Sequence, residues 1–440
     1  MSTNPKQQID QSEIKGFQLF VILMCILLNA LDGFDVLAIS FASPGIASDW
    51  NVSRGALGIV LSMELVGMAI GSISLGNLAD RLGRRPTILL CLSLMTIGMG
   101  ACAFVNSLNY LLVFRFLTGL GVGGMLASTN ALVAEFANAK YRNLAVILMA
   151  TGYPIGAIVG GYISTELLAL YNWKVIFVFG GAVTGSFLVI CWLLLPESID
   201  FLASRRPQNA LQRINKILQR IGHNPIASLP KLENQQASSG FSTLITNNLR
   251  AVTGLLVIAY FAQIMTFYYI LKWIPKIVVD MGYEPTSAGT VLVWANVGGA
   301  VGSLIFGVIA SRLKLRPLLI AIMLCAFVMV SVFGLGPQTL LQLSVVSAAT
   351  GFFTNSAVVG LYALMAQSFP AEVRASGTGV VIGIGRGGAA LGPIVAGYLF
   401  QSGYGLFDVS VAMGFGAVVA AIAIFSLGPV LKKYQLSSQV

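Results

Sequence analysis

The sequence predicts an all-α membrane protein of twelve transmembrane helices in two pseudo-symmetric six-helix bundles. Three observations carry that prediction. The 440-residue chain is 56% hydrophobic and only 10% charged, where a soluble domain averages about 25% charged residues. Uncharged stretches of roughly 20 residues, enough to cross a ~30 Å hydrocarbon core, alternate with short knots of Lys and Arg. Several segments of the first half also recur in the second half in the same order.

From the N-terminus the apolar runs fall near 17–42, 54–76, 87–106, 108–134, 143–166 and 173–195, then 250–275, 285–310, 317–336, 338–366, 375–401 and 406–430. None shows the period-2 alternation of a lipid-facing strand, which argues against a β-barrel. The first run is too long for a signal peptide and lacks a following Ala-x-Ala site. With both termini cytoplasmic, 20 of the 26 basic residues collect on the inner side. Arg54, Lys174, Lys272 and Lys276 fall outside, and Arg115 and Arg386 within the bilayer. The positive-inside rule therefore fixes a multi-pass topology. Lys272 and Lys276 flank Trp273 as an outer-surface anchor would, although Lys272 can also draw anions toward an entrance.

The net charge of +10 follows from membrane insertion and requires no nucleic-acid partner. Cys25, Cys91, Cys102, Cys191 and Cys325 all lie in spans without CxxC spacing, as buried free thiols would. No metal site or cofactor is expected. The one histidine, His223, lies in a polar loop, and there is no GxxxxGK[ST] nucleotide-binding stretch. With no nucleophile–base pair either, the chain is not expected to be an enzyme.

The polar stretch 196–247 reads as a cytoplasmic central loop between an N-terminal bundle (1–195) and a C-terminal one (248–440). "GNLADRLGRRP" (76–86) aligns without gaps to "GVIASRLKLRP" (307–317), and "ALVAEFANAKYR" (131–142) to "ALMAQSFPAEVR" (363–374). "GAIVGGYI" (156–163) aligns to "GPIVAGYL" (392–399). Repeated helix bundles with a midplane site between them are the architecture of secondary transporters. The twelve spans, the repeat and the "GNLADRLGRRP" loop resemble the major facilitator superfamily over nearly the whole chain. Within it, "DGFD" (32–35) and "GIGRGGAALGP" (383–393) resemble the aromatic acid:proton symporter family.

That resemblance assigns the 76–86 loop to gating. In the family such an Asp pairs with basic groups and a helix terminus of the neighbouring bundle, latching the inner side. Gly76 is expected to let two helices approach closely, and Gly83 belongs to the same motif. Asp80 then sits among Arg81, Arg84 and Arg85, with Arg142 as its expected partner and Glu135 nearby. The second copy has Ser311 and Lys314 where Asp80 and Gly83 stand, so only the first half is expected to carry a full latch. Small-xxx-small pairs (Gly67/Gly71, Gly119/Gly123, Gly156/Gly160, Gly298/Gly302, Gly388/Gly392) supply helix packing in lipid. Some superfamily antiporters carry Gly-Pro in span five; Gly156-Ala157 here favours uptake over exchange.

Five ionisable residues lie within spans: Asp32, Asp35, Glu64, Arg115 and Arg386. Such residues are costly in lipid and mark pathways or proton relays. At ~1.5 Å rise per residue, Asp32 lies roughly 22 Å above the inner edge, and Glu64 and Arg386 each about 18 Å. Arg115 reaches a depth comparable with Asp32. Asp32 and Asp35 share a helix face at i, i+3, so both can point into one water-filled cavity. Burial disfavours a charged carboxylate while a nearby guanidinium favours it, and a carboxylate between those effects can change protonation as a cavity opens. Asp32, Asp35, Glu64 and Arg115 are thus the proton-coupling candidates, the alternative being a structural ion pair with Arg115.

Arg386 keeps its charge and offers a planar fork to a carboxylate, which makes it the substrate-binding candidate; the alternative is an ion pair across the bundles. Tyr153, Phe267, Tyr268, Tyr269, Trp294, Asn296, Asn355 and Tyr362 are candidates for stacking on a ring and bonding its hydroxyls. The expected function is proton-coupled import of a small aromatic carboxylate, of benzoate or hydroxybenzoate type, by a monomer. Its partners are the organic anion, protons and the bilayer. Another organic anion (nicotinate, a dicarboxylate, a sugar acid) or drug efflux stays open, and a receptor would require a signalling domain.

Overall fold

A computed structural model describes residues 5–229, 249–370 and 373–437 of the chain. A short helix α1 (Pro5–Asp10) precedes six long ones: α2 (Gly16–Asp49), α3 (Arg54–Leu82), α4 (Arg84–Cys102), α5 (Leu108–Phe136), α6 (Arg142–Leu170) and α7 (Lys174–Leu194). Two short helices follow, α8 (Ile199–Arg205) and α9 (Ala210–Arg220). The second set is α10 (Arg250–Asp280), α11 (Pro285–Ala310), α12 (Leu315–Gly334), α13 (Leu340–Ser368), α14 (Arg374–Gln401) and α15 (Leu406–Ser437). Among the described residues, twelve helices are long and apolar enough to cross a membrane, matching the predicted spans one for one.

Several helices overrun the apolar stretches that predicted them. α2 has 34 residues, roughly 50 Å at the α-helical rise. Peptide groups keep their helical partners beyond the hydrocarbon, because the hydrogen-bond ladder does not depend on side-chain polarity. Prolines inside α2, α6, α10, α14 and α15 are tolerated where neighbouring groups use the freed backbone acceptors. Separately, the Pro393 carbonyl accepts from Trp273 Nε1 at 3.1 Å, joining α14 to α10. α13 opens on a capping box, with Gln342 N donating to Thr339 Oγ1 at 3.2 Å and Thr339 N to Gln342 Oε1 at 3.3 Å.

The chain divides into two compact units. One contains Met1–Val36, Gly67–Val159 and Phe177–Asn234; the other contains Leu37–Val66, Gly160–Ile176 and Gln235–Val440. The division passes through α2, α3, α6 and α7, whose segments next to the α2–α3 and α6–α7 connections group with α10 to α15.

Within the first unit, helices meet backbone to backbone through glycines. A Cβ on Gly67 or Gly71 of α3 would overlap the carbonyls of Phe116 or Leu120 in α5, and one on Gly152 or Gly156 of α6 those of Ile26 or Ala30 in α2. The second unit repeats the pattern. Gly298 and Gly302 of α11 lie on the carbonyls of Ala348 and Phe352 in α13, and Gly388 and Gly392 of α14 on those of Phe261 and Met265 in α10. Lipid gives no hydrophobic drive between helices, so this close approach supplies the packing.

Gly76 departs from expectation. A Cβ there would meet nothing within 4 Å, so the close approach in α3 is made by Gly67 and Gly71 instead. Cys325 is exposed, while Cys25, Cys91, Cys102 and Cys191 are buried.

Candidate functional site

The DGFD stretch lies in the middle of α2 with both carboxylates covered: Asp32 is 3% exposed and Asp35 fully buried. Gly33 between them is required by packing, because a Cβ there would overlap the backbone carbonyl of Tyr153 in α6. Arg115 in α5 is fully buried beside this stretch. Its Nη2 donates to the Asp35 main-chain carbonyl at 3.0 Å and its Nη1 contacts Met99 Sδ at 3.0 Å. The guanidinium also lies over the Phe177 ring, 5.6 Å from its centroid. Phe34 packs edge-on against Phe179 at 5.4 Å. The first unit therefore brings the Arg115 guanidinium to the main chain of Asp35, with half-buried Tyr153 on the adjoining helix.

Glu64 falls in the other unit, and its ionic partner was not foreseen. Lys272 Nζ lies 3.8 Å from Glu64 Oε2, with neither side chain exposed. The reading of Lys272 and Trp273 as an outer-surface anchor is thus corrected. Trp273 is 1% exposed and bonds Pro393, and α10 continues past both residues to Asp280. A lysine near the end of an apolar run looks like an anchor when its partner comes from a distant span.

Arg386 is half-buried in α14. Gly385, its neighbour in α14, packs on the ring of Tyr260. Tyr260 and Tyr362 exchange a hydroxyl–hydroxyl hydrogen bond of 3.0 Å, with ring centroids 5.8 Å apart. Tyr362 is an expected pocket residue, whereas Tyr260 carries no signal in the sequence beyond being aromatic. Gln263, one turn along α10 and fully buried, was also missed.

Among the other expected pocket residues, Tyr269, Asn355 and Asn296 have polar groups engaged in helix packing. The Tyr269 hydroxyl bonds Ser410 Oγ at 2.8 Å, tying α10 to α15. Asn355 Nδ2 donates to Gly299 O at 3.0 Å and Ser303 Oγ at 2.9 Å. Asn296 donates to Leu292 O in its own helix at 2.9 Å. Trp294 is 48% exposed, and Phe267 and Tyr268 pack edge-on at 5.2 Å.

The loop 76–86 forms a charged ladder, but with other partners than expected. Asp80 Oδ1 accepts from Arg84 Nη1 at 2.7 Å, one turn on, and its carbonyl from Arg205 Nε at 3.1 Å. Arg81 is exposed, and Arg85 Nη2 donates to Trp192 O at 2.5 Å. Arg142, the expected partner of Asp80, instead pairs with Asp10 and donates to Ala134 O at 2.8 Å. Glu135 accepts from Ser198 Oγ at 2.6 Å.

Glu197 is the residue that the sequence did not reveal. Its Oε1 accepts the main-chain N–H groups of Arg84 (2.8 Å), Arg85 (3.1 Å) and Ser198 (2.8 Å). A carboxylate on the first amides of α4 meets unsatisfied donors and the positive end of the helix. Gly83 makes the turn at φ +108° directly against Glu197, a conformation that side chains disfavour. In the second copy of the loop, Ser311 and Lys314 are exposed, and Ser311 Oγ bonds within its own turn, to Val308 O.

Twelve lipid-length helices in two internally repeated sets, with acidic and guanidinium side chains buried inside, define a multi-pass membrane transporter. The model of the Major Facilitator Superfamily matches residues 25–340 and 256–436, and the chain belongs to that superfamily. It is 33% identical over 427 residues to the gallate transporter of Pseudomonas putida, covering 96% of this chain and 94% of that protein. It is 28% identical to the benzoate transport protein of Acinetobacter baylyi, covering 96% and 92%. Its fold matches the partially occluded, inward-open xylose transporter XylE from E. coli with a TM-score of 0.71 at 17% identity, covering 94% of this chain and 98% of that one.

Proposed function

We propose that this protein is a proton-coupled symporter that imports a small aromatic carboxylate across the bacterial inner membrane by alternating access. It acts as a monomer with both termini in the cytoplasm. The observation that carries this reading is likeness along 96% of the chain to transporters of gallate and benzoate. Both compounds are an aromatic ring with one carboxylate. Arg386 offers that carboxylate a permanent charge and a bidentate fork, and Tyr260 and Tyr362 offer the ring a phenol pair.

Asp32 and Asp35 take the proton. Buried beside Arg115, their protonation responds to whether water or protein surrounds them. A proton on this pair and an anion on Arg386 together cancel charge, which favours closure around the loaded site. Asp80, Arg84 and Arg85, braced by Glu197, gate the inner side. Arg142 holds α1 through Asp10 in this state.

The test is uptake of labelled benzoate and gallate into proteoliposomes under an imposed inward proton gradient. Wild type is expected to accumulate the acid. Arg386→Ala is expected to lose uptake, and Asp32→Asn to lose accumulation while retaining exchange of acid for acid. Accumulation that ignores the gradient would remove symport, and undiminished uptake by Arg386→Ala would remove that residue from the site.

A further inference from the structure

The buried ion pair of Glu64 and Lys272 has no part in the mechanism so far. Its two helices come from different sequence repeats, α3 from the first and α10 from the second. The pair is roofed by the short segment of α3 that lies on α14 and α10. Gly58 sits against the Pro393 carbonyl, Gly55 N donates to Gln401 Oε1 at 3.0 Å, and Arg54 Nη2 meets Asp280 Oδ2 at 3.1 Å. The roof is thus held by the close approach of Gly58 to Pro393 and of Gly397 to the Arg54 carbonyl, by one amide, by the Arg54 guanidinium 5.5 Å from the Phe400 ring centroid, and by a part-exposed ion pair that is weak by itself. The ammonium beneath it is another matter. A cation taken fully out of water requires an anion beside it, and here that anion is a carboxylate on the far repeat.

The separation of 3.8 Å exceeds the roughly 2.8 Å of a tight charge-assisted hydrogen bond. Glu64 thus neutralises Lys272 by charge, at more than direct hydrogen-bond distance. The group that neutralises it is chemically the same as the one the cargo carries. If α3 lifts from α10, as alternating access between two repeats requires, Lys272 parts from Glu64 just as the opening admits an external carboxylate.

We propose that Lys272 is a second anion site on the transport path, and that Glu64 is an internal carboxylate which fills it when no cargo is present. Cargo and Glu64 exchange on one ammonium, so the buried cation keeps a counter-charge throughout. This rests on the reading that the cargo is a carboxylate.

The experiment is initial-rate uptake of labelled benzoate into proteoliposomes, comparing wild type, Glu64→Gln, Lys272→Arg and the double variant Glu64→Gln with Lys272→Met. The double variant leaves neither charge buried alone, so it is expected to fold and to melt like wild type. Its KM for benzoate is expected to rise about tenfold or more, the scale of losing a hydrogen bond to a charged group. Glu64→Gln, lacking the internal competitor, is expected to lower KM, and Lys272→Arg to stay near wild type. A double variant with wild-type KM would overturn the proposal and leave the pair a structural bridge. So would Glu64→Gln raising KM as far as the double variant does. Wild type that ignores benzoate and gallate alike would instead remove the carboxylate reading on which exchange rests.

Discussion

Gly33→Ala offers a direct test of how the acidic stretch is positioned. In α2 the added Cβ would overlap the Tyr153 carbonyl oxygen and lie 2.8 Å from its carbon and 3.0 Å from its Cα. Real Cβ atoms essentially never come within 3.0 Å of a neighbour. The obstruction is main chain, with no rotamer to turn aside, so α2 and α6 must part. Overpacking of this kind costs about 1–3 kcal/mol, and the upper end is expected here because the shift carries Asp32 and Asp35 with it. Gly76→Ala in α3 is the matched control. Nothing lies within 4 Å of its Cβ, and replacing Gly by Ala inside a helix gains about 0.5–1 kcal/mol. Thermal unfolding in detergent, followed with a thiol-reactive dye that reports exposure of buried Cys25, Cys91, Cys102 and Cys191, separates the two. Gly33→Ala should melt below wild type and transport poorly, and Gly76→Ala should melt at or above wild type. Equal melting and equal uptake for both would refute the packing account.

Three further outcomes are expected. Glu197→Ala should cost about 2–3 kcal/mol, since three main-chain donors lose a charged acceptor; Glu197→Gln should cost less, and an unchanged melt for the alanine variant would show that the grip contributes nothing. Asp80→Asn should change stability by no more than about 0.5 kcal/mol, because the carboxylate is 62% exposed and its pair is i, i+4; turnover should fall with KM unaltered, and a rise in KM alone would count against gating. His223 bonds Ser12 at 3.1 Å, and burial, then the nearby Lys15 charge, hold its ring below the ordinary imidazole value of 6.5. Its stabilisation is complete above that value and is lost as pH falls through the lowered one. Limited proteolysis near Ser12 should therefore quicken between pH 7 and pH 5, and a rate independent of pH would exclude the effect.

The span count was legible because the cost of leaving peptide groups or charges in lipid writes itself into composition over every 20-residue window. The placement of Asp35 and Arg115 inside spans was legible for the same reason, although they meet through the Asp35 main-chain carbonyl. Partner choice elsewhere was not. Lys272 and Glu64 lie on spans from different repeats, and residue order along the chain carries no trace of that encounter. Arg142 turned to Asp10 because α1 returns to the α5–α6 connection, where Asn138 Nδ2 also binds Ser12 O at 2.8 Å. Glu197 escaped notice because its ligands are amides, which every residue possesses. Tyr269, Asn296 and Asn355 were over-read: polar groups inside a bundle need partners whether or not a ligand visits, and here packing supplied them.

The glycine crossings have a consequence for how such a molecule diversifies. Gly67 and Gly71 rest on Phe116 and Leu120 as Gly298 and Gly302 rest on Ala348 and Phe352, and Gly152 and Gly156 on Ile26 and Ala30 as Gly388 and Gly392 on Phe261 and Met265. The two sets of helices thus share crossings made by glycines on main-chain carbonyls, beside which side-chain bonds such as Tyr269–Ser410 differ. The first set of helices carries acids in α2 and a guanidinium in α5, and the second carries Arg386 in α14. Designers wishing to retune cargo would do well to leave those crossings intact and rewrite only what surrounds them.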